Sequence, residues 1–133
     1  MWTQFWDMRS GGGNKEQWER IYIEAPEEKA KVIFYKRFGH NAEEVSCTCC
    51  GPDYSISESP SLEQASAFHR GCAFDKNKDK YVERPDTRYS FSKPYLTVEQ
   101  YVAQPEVLVI YAKDIKPGED QGEVPEQGYV WQD

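Results

Sequence analysis

Long apolar runs are missing from this chain. No stretch approaches the roughly 20 residues that a bilayer-spanning helix requires. The opening Met1-Trp2-Thr3-Gln4-Phe5-Trp6-Asp7 lacks both the basic start and the apolar centre of a secretion signal, so a cytoplasmic protein with no membrane partner is expected. Histidine is scarce as well. With two in 133 residues, general acid–base catalysis has little to draw on. There is no His-x-Glu paired with Pro-Cys-x-x-Cys, no His-Glu-x-x-His and no glycine-flanked serine. Gly11-Gly12-Gly13 is not followed by Lys-Ser or Lys-Thr, and it reads as a turn and not as a phosphate loop. These gaps predict a protein that is not an enzyme. Positive charge is in deficit too: 16 Lys and Arg stand against 23 Asp and Glu, for a net charge of -7. That balance argues against a duplex nucleic-acid partner, whose phosphates demand a cationic face.

What is present is aromatic. Four Trp, nine Tyr and six Phe supply large buried areas, which argues against disorder, and the length suits one domain. The expected fold is α+β: an antiparallel or mixed sheet with two or three short helices. Residues 1–116 form the domain, and 117–133 an acidic tail packed on it.

The loose alternation of Trp2 to Asp7 predicts an opening strand, and Trp18, Ile21, Tyr22 and Ile23 a second. Pro26 at the first helical position, Glu27 and Glu28 in the first turn and Gly39 past the end frame a helix of about twelve residues. Ala30, Ile33, Phe34 and Phe38 form its inward face. Ser61 with Gln64 and Thr97 with Gln100 are capping pairs that start two further helices, the latter ending by Pro105. Val107 to Tyr111 is apolar on both faces and is expected to lie centrally in the sheet.

The sharpest chemical pattern is Cys47-Thr48-Cys49-Cys50-Gly51, followed after a spacer by His69-Arg70-Gly71-Cys72. Read as Cys-x-x-Cys-Gly and His-x-x-Cys, it offers three thiolates and an imidazole to one tetrahedral Zn2+. Cys47 and Cys50 flank a turn closed by Gly51, with Cys49 as an alternate ligand. Leu62, Ala65, His69 and Cys72 share a helical spacing, which predicts that the second half of the site comes from the end of a short helix. Four protein ligands close the coordination shell, so the zinc would be structural. Buried or redox-active thiols and a disulfide are the alternatives. His40 reads as a surface or capping histidine.

From Asp75 to Lys93 six basic residues meet four acids, interleaved with Tyr81, Tyr89 and Phe91, which suggests a hairpin or long loop with exposed rings. Its opening Asp75-Lys76-Asn77-Lys78-Asp79 has oxygen ligands at alternate positions, but Lys80 stands where a calcium loop needs glycine, so a solvated turn is expected. From Asp114 to Asp133 six acids face one lysine. Glu119, Asp120, Glu123 and Glu126 are therefore the candidate contacts for a basic protein surface.

Ile21-Tyr22-Ile23-Glu24-Ala25-Pro26-Glu27-Glu28, Arg37-Phe38-Gly39-His40-Asn41 and the segment Cys47 to Ile56 resemble small accessory proteins of tailed bacteriophages. The resemblance implies a setting, the host cytoplasm, and no mechanism: such proteins often bind and block a host protein, antiviral-defence components included. The leading expectation is thus a non-enzymatic inhibitor of a host protein, stabilised by zinc. The alternative is a zinc-stabilised module that binds single-stranded nucleic acid by stacking bases on Tyr81, Tyr89 and Phe91.

Overall fold

In the computed structural model, residues 1–8, 16–45, 51–83 and 96–125 are described. They form a small single α+β domain with a mixed sheet and three helices. The sheet has four strands, β1 (Trp2–Asp7), β2 (Arg20–Ile23), β3 (Tyr54–Ser59) and β6 (Val107–Ile110), in the order β3-β1-β2-β6. β1 runs antiparallel to both neighbours, with Phe5 opposite Ile21 and Ile56, while β6 is parallel to β2.

Alternation of side chains divides the sheet into two faces. One face, built from Phe5, Ile21, Ile23, Tyr54 and Ile110, packs on Ala30, Ile33 and Phe34 of helix α1 (Glu27–Phe38). The other gathers Trp2, Tyr22 and Val107 against Tyr101 of α3 (Val98–Val102), with Leu62 and Ala65 of α2 (Leu62–Ser66) beside them. Phe34 stacks on Phe5 at 4.8 Å and meets Tyr54 edge-on at 5.0 Å, an arrangement that adds to burial through the ring quadrupoles.

The strand 107–110 is an edge strand, not a central one. Its apolar character on both faces comes from helices lying above and below the sheet, so position in the sheet and two-sided burial are separate properties here.

Helix α1 begins one residue later than its sequence suggests, with Pro26 as the flanking residue at φ -60°. Proline has no capping side chain, and Glu58 of β3 supplies one instead, its carboxylate accepting from the Glu27 N–H at 2.7 Å. Gly39, at φ 79°, ends the helix and donates to the Tyr35 carbonyl. For α3 the capping box forms in full: Gln100 N–H to Thr97 Oγ1 at 3.1 Å, and Thr97 N–H to Gln100 Oε1 at 2.9 Å.

A separate two-stranded sheet pairs β4 (Cys72–Asp75) with β5 (Lys80–Glu83). Asp75 closes its turn by accepting from the amides of Asn77 and Lys78, so that carboxylate serves the turn. No helix among the described residues is long and apolar enough to cross a membrane.

Candidate functional site

Of the predicted zinc ligands, Cys47, Cys49 and Cys50 lie outside the described residues. His69 and Cys72 lie inside, but no helix delivers them as a pair. α2 ends at Ser66, residues 67–71 form turns, and Gly71 at φ 77° bends the chain into β4, which Cys72 opens. The helical spacing fails because the Arg70 guanidinium turns inward, donating to Ser66 Oγ at 2.9 Å and to the carbonyls of Glu63 and Leu96 at 2.9 and 3.0 Å. Arg70 is 2% exposed and joins the α2 turn, the segment leading into α3 and, across the Tyr81 ring, the hairpin. In the sequence it is a spacer inside a metal motif, and nothing in the pattern marks it as buried.

Cys72 is buried, its thiol donating to the Ala67 carbonyl at 3.3 Å. The His69 ring sits edge-on to Trp6 at 4.6 Å and to Phe68 at 5.3 Å. One nitrogen and one sulfur donor, three positions apart in sequence, suit zinc chemically. Among the described residues, no three His, Cys, Asp or Glu side chains converge on a metal position. His40 does not cap α1, which Gly39 ends; its Nε2 lies 3.2 Å from the Glu16 carboxylate and its ring against Phe34.

The acidic candidates divide. Glu119 is turned inward, its side chain 9% exposed, and the Arg37 guanidinium grips it with Nε at 2.8 Å and Nη2 at 3.1 Å. Arg37 also donates to the Asp114 carbonyl at 2.6 Å, Lys36 to those of Gly118 and Gln121, and Asn41 to that of Pro125. The described part of the tail is thus strapped along α1. Asp120 lies 3.9 Å from Lys29, Glu123 is exposed, and Glu126 falls outside the described residues.

The Arg37 guanidinium beside Glu119 holds its carboxyl below the usual 4.5. A depressed folded value means that this contribution is complete above the unfolded pKa and is lost as pH falls through the folded one. Lowering the pH from 6 to 3 is therefore expected to release the strap, read as a shift of the Gly118 and Gln121 amide resonances. Amides unchanged at pH 3 would refute this.

The fold assembles an acidic surface that the sequence scatters. Glu27, Glu28 and Glu58 line a shallow groove of about 440 Å³ with Pro26 and Lys29. Glu27 and Glu43 line the next, of about 320 Å³, with Tyr54 and with Lys31, whose ammonium pairs with both carboxylates at 3.3 Å. Glu24 and Asp120 flank a third, of about 400 Å³. The three meet around the start of α1. On the hairpin, Phe74 is 49% exposed against Tyr81 at 5.3 Å, with Lys76, Lys78 and Lys80 exposed nearby. Tyr89 and Phe91 lie outside the described residues.

Two polar groupings are internal. The Tyr22 hydroxyl donates to Gln4 at 2.7 Å and meets that of Tyr101 at 2.8 Å; burial holds both phenols neutral by raising their pKa. The buried Tyr54 hydroxyl has no hydrogen-bond partner among the described residues, and burial again raises its pKa, with Asp7, Glu16 and Asp53 adding to the effect.

The chain matches no family model, no curated protein and no solved structure. What the fold defines is a class, the small α+β domain with a mixed sheet between helical layers.

Proposed function

We propose that this protein is a non-enzymatic binding module that docks an acidic face on a basic protein surface. Its resemblance to small phage proteins suggests that the partner is a host protein, plausibly of antiviral defence, blocked by the docking in the host cytoplasm. The observation that carries this reading is the run of carboxylate-lined grooves around the start of α1. Charge displayed on one face steers encounter with a cationic partner. Asp120 and Glu123 extend that face, with Glu126 beyond them, while Glu119 serves the strap. A structural zinc ion held by Cys47, Cys50, His69 and Cys72, with Cys49 as alternate, is part of the proposal.

The test is affinity capture from host lysate, followed by titration of the purified partner against wild type and the Glu28→Lys, Glu43→Lys, Glu123→Lys variant. All three side chains are exposed; Glu43 also pairs with Lys31 at 3.3 Å, and circular dichroism verifies that the variant keeps its fold. Affinity at least tenfold lower, with binding that weakens as salt rises, is expected. Equal binding by the two proteins sinks the reading.

The exposed Phe74–Tyr81 pair among three lysines favours a second reading, single-stranded nucleic acid stacked on the hairpin. A labelled oligothymidylate retained by wild type and lost on Phe74→Ala would support it instead.

A further inference from the structure

The strap covers a second, oppositely charged surface. Between α1, β6 and the strap lies a cleft of about 390 Å³ lined by Trp18, Lys36, Arg37, Phe38, Leu108, Lys116 and Glu119. Its floor is apolar: Trp18, Phe38 and Leu108 are half-buried against the core, with the Trp18 and Phe38 rings 5.9 Å apart. Its rim on the α1 side is cationic.

The strap satisfies the rim and neglects the floor. Glu119 fills the Arg37 fork, and the carbonyls of Gly118 and Gln121 take the Lys36 ammonium. Yet the strap brings no apolar side chain to the cleft among the described residues: Ile115 packs on the core and lines the neighbouring groove, and from the strap Lys116 and Glu119 line the cleft. The Lys116 backbone N–H is bound to the Glu119 carboxylate at 3.0 Å.

We propose that this cleft is a binding site for an acidic peptide that carries a bulky apolar residue three positions before a carboxylate, and that the segment 114–121 occupies the site in cis. The carboxylate of the incoming peptide replaces that of Glu119 on Arg37, and its apolar side chain covers Trp18, Phe38 and Leu108. Two features carry the assignment. The bidentate geometry on Arg37 selects a carboxylate and fixes its orientation, which a surface ammonium does not do. The uncovered floor supplies a hydrophobic gain that the strap forgoes; burial of one large side chain corresponds to roughly ten- to hundredfold in affinity. The cleft is distinct from the acidic grooves, although the strap that leaves it carries Asp120 of that face; the peptide titrations read the cleft and the partner titration reads the face.

The probes are two synthetic peptides spanning residues 114–125, one of native sequence and one with Lys116→Trp, titrated against the full-length protein by fluorescence anisotropy. The Lys116→Trp peptide is expected to bind at least tenfold more tightly than the native peptide. Glu119→Gln in the protein, which loosens the strap, is expected to raise affinity for it several-fold further, and Arg37→Gln to lower it at least tenfold. Arg37 is partly exposed on α1 and Glu119 is turned inward on the strap, and circular dichroism verifies that each variant keeps its fold. A shift of the Trp18 indole N–H resonance on binding places the peptide in the cleft. Equal affinity for the two peptides, Arg37→Gln binding as wild type, or an unmoved Trp18 resonance would each overturn the proposal.

Discussion

Arg70→Met is expected to cost about 3 kcal/mol of stability, since the three hydrogen bonds of a buried guanidinium are lost at once and each polar group left unsatisfied costs roughly 1 to 3 kcal/mol. The acceptors are the buried Ser66 Oγ and the part-buried carbonyls of Glu63 and Leu96. Ser66 and Glu63 belong to α2 and Leu96 to the segment before α3, so the loss is one of cohesion between those two parts as much as of hydrogen bonds. Arg70→Lys is expected to recover little, because one ammonium nitrogen cannot occupy the positions of Nε, Nη1 and Nη2 together. Urea melts measure the global effect. Amide exchange adds its location: protection in β4 and β5 should fall first, as the hairpin's ring contact with Arg70 is lost. A loss under 1 kcal/mol for the methionine variant would show that water replaces the guanidinium without penalty.

Protein purified without added metal is expected to carry one zinc ion per chain. Cys50→Ser and His69→Ala should each lose it and melt about 10 °C lower or more, as chelator should also bring about in the wild type. Metal binding of this kind is coupled to folding and amounts to several kcal/mol, and about 1 kcal/mol moves the midpoint of a domain this size by several degrees. Elemental analysis alongside thermal melts reads both quantities. Zinc absent and melts unchanged would remove the metal from the proposal and leave the thiols as candidates for redox chemistry.

Much of the architecture is legible from local chemistry. The helix 27–38 is written in Glu27, Glu28 and Gly39 and in the spacing of Ala30, Ile33, Phe34 and Phe38, and the structure places these four inward. Thr97 and Gln100 announce the third helix by the bonds they make. β3 is different. Tyr54 and Ile56 face α1, but Glu58, next on that face, breaks the apolar alternation because its carboxylate is needed to cap a helix distant in sequence. A polar residue doing long-range work erases the period-two signal of its own strand. The edge position of β6 is hidden for a related reason: hydropathy reports how much a strand is covered and is silent on what covers it.

The acidic surface divides along the same line. Local charge counts nominate the tail, but pairing with Arg37 withdraws Glu119 from solvent, while Glu24, Glu27, Glu28, Glu43 and Glu58 come together only through the packing of α1 on the sheet. Arg70 is the extreme case, a charged residue in a turn whose burial depends on three acceptors from two segments, α2 and the chain before α3.

The strand order has a consequence for how this chain is made. β1 takes part in two of the three pairings that join the large sheet, one with residues 20–23 and one with residues 54–59. It is made before both partners: the edge that takes residues 20–23 finds its strand early, while the edge that takes residues 54–59 stays open through the synthesis of about fifty residues. A nascent chain stalled before β3 would present Phe5 and one unpaired edge of β1 to chaperones, and permutants that open a new terminus inside β1 would split the sheet along its centre.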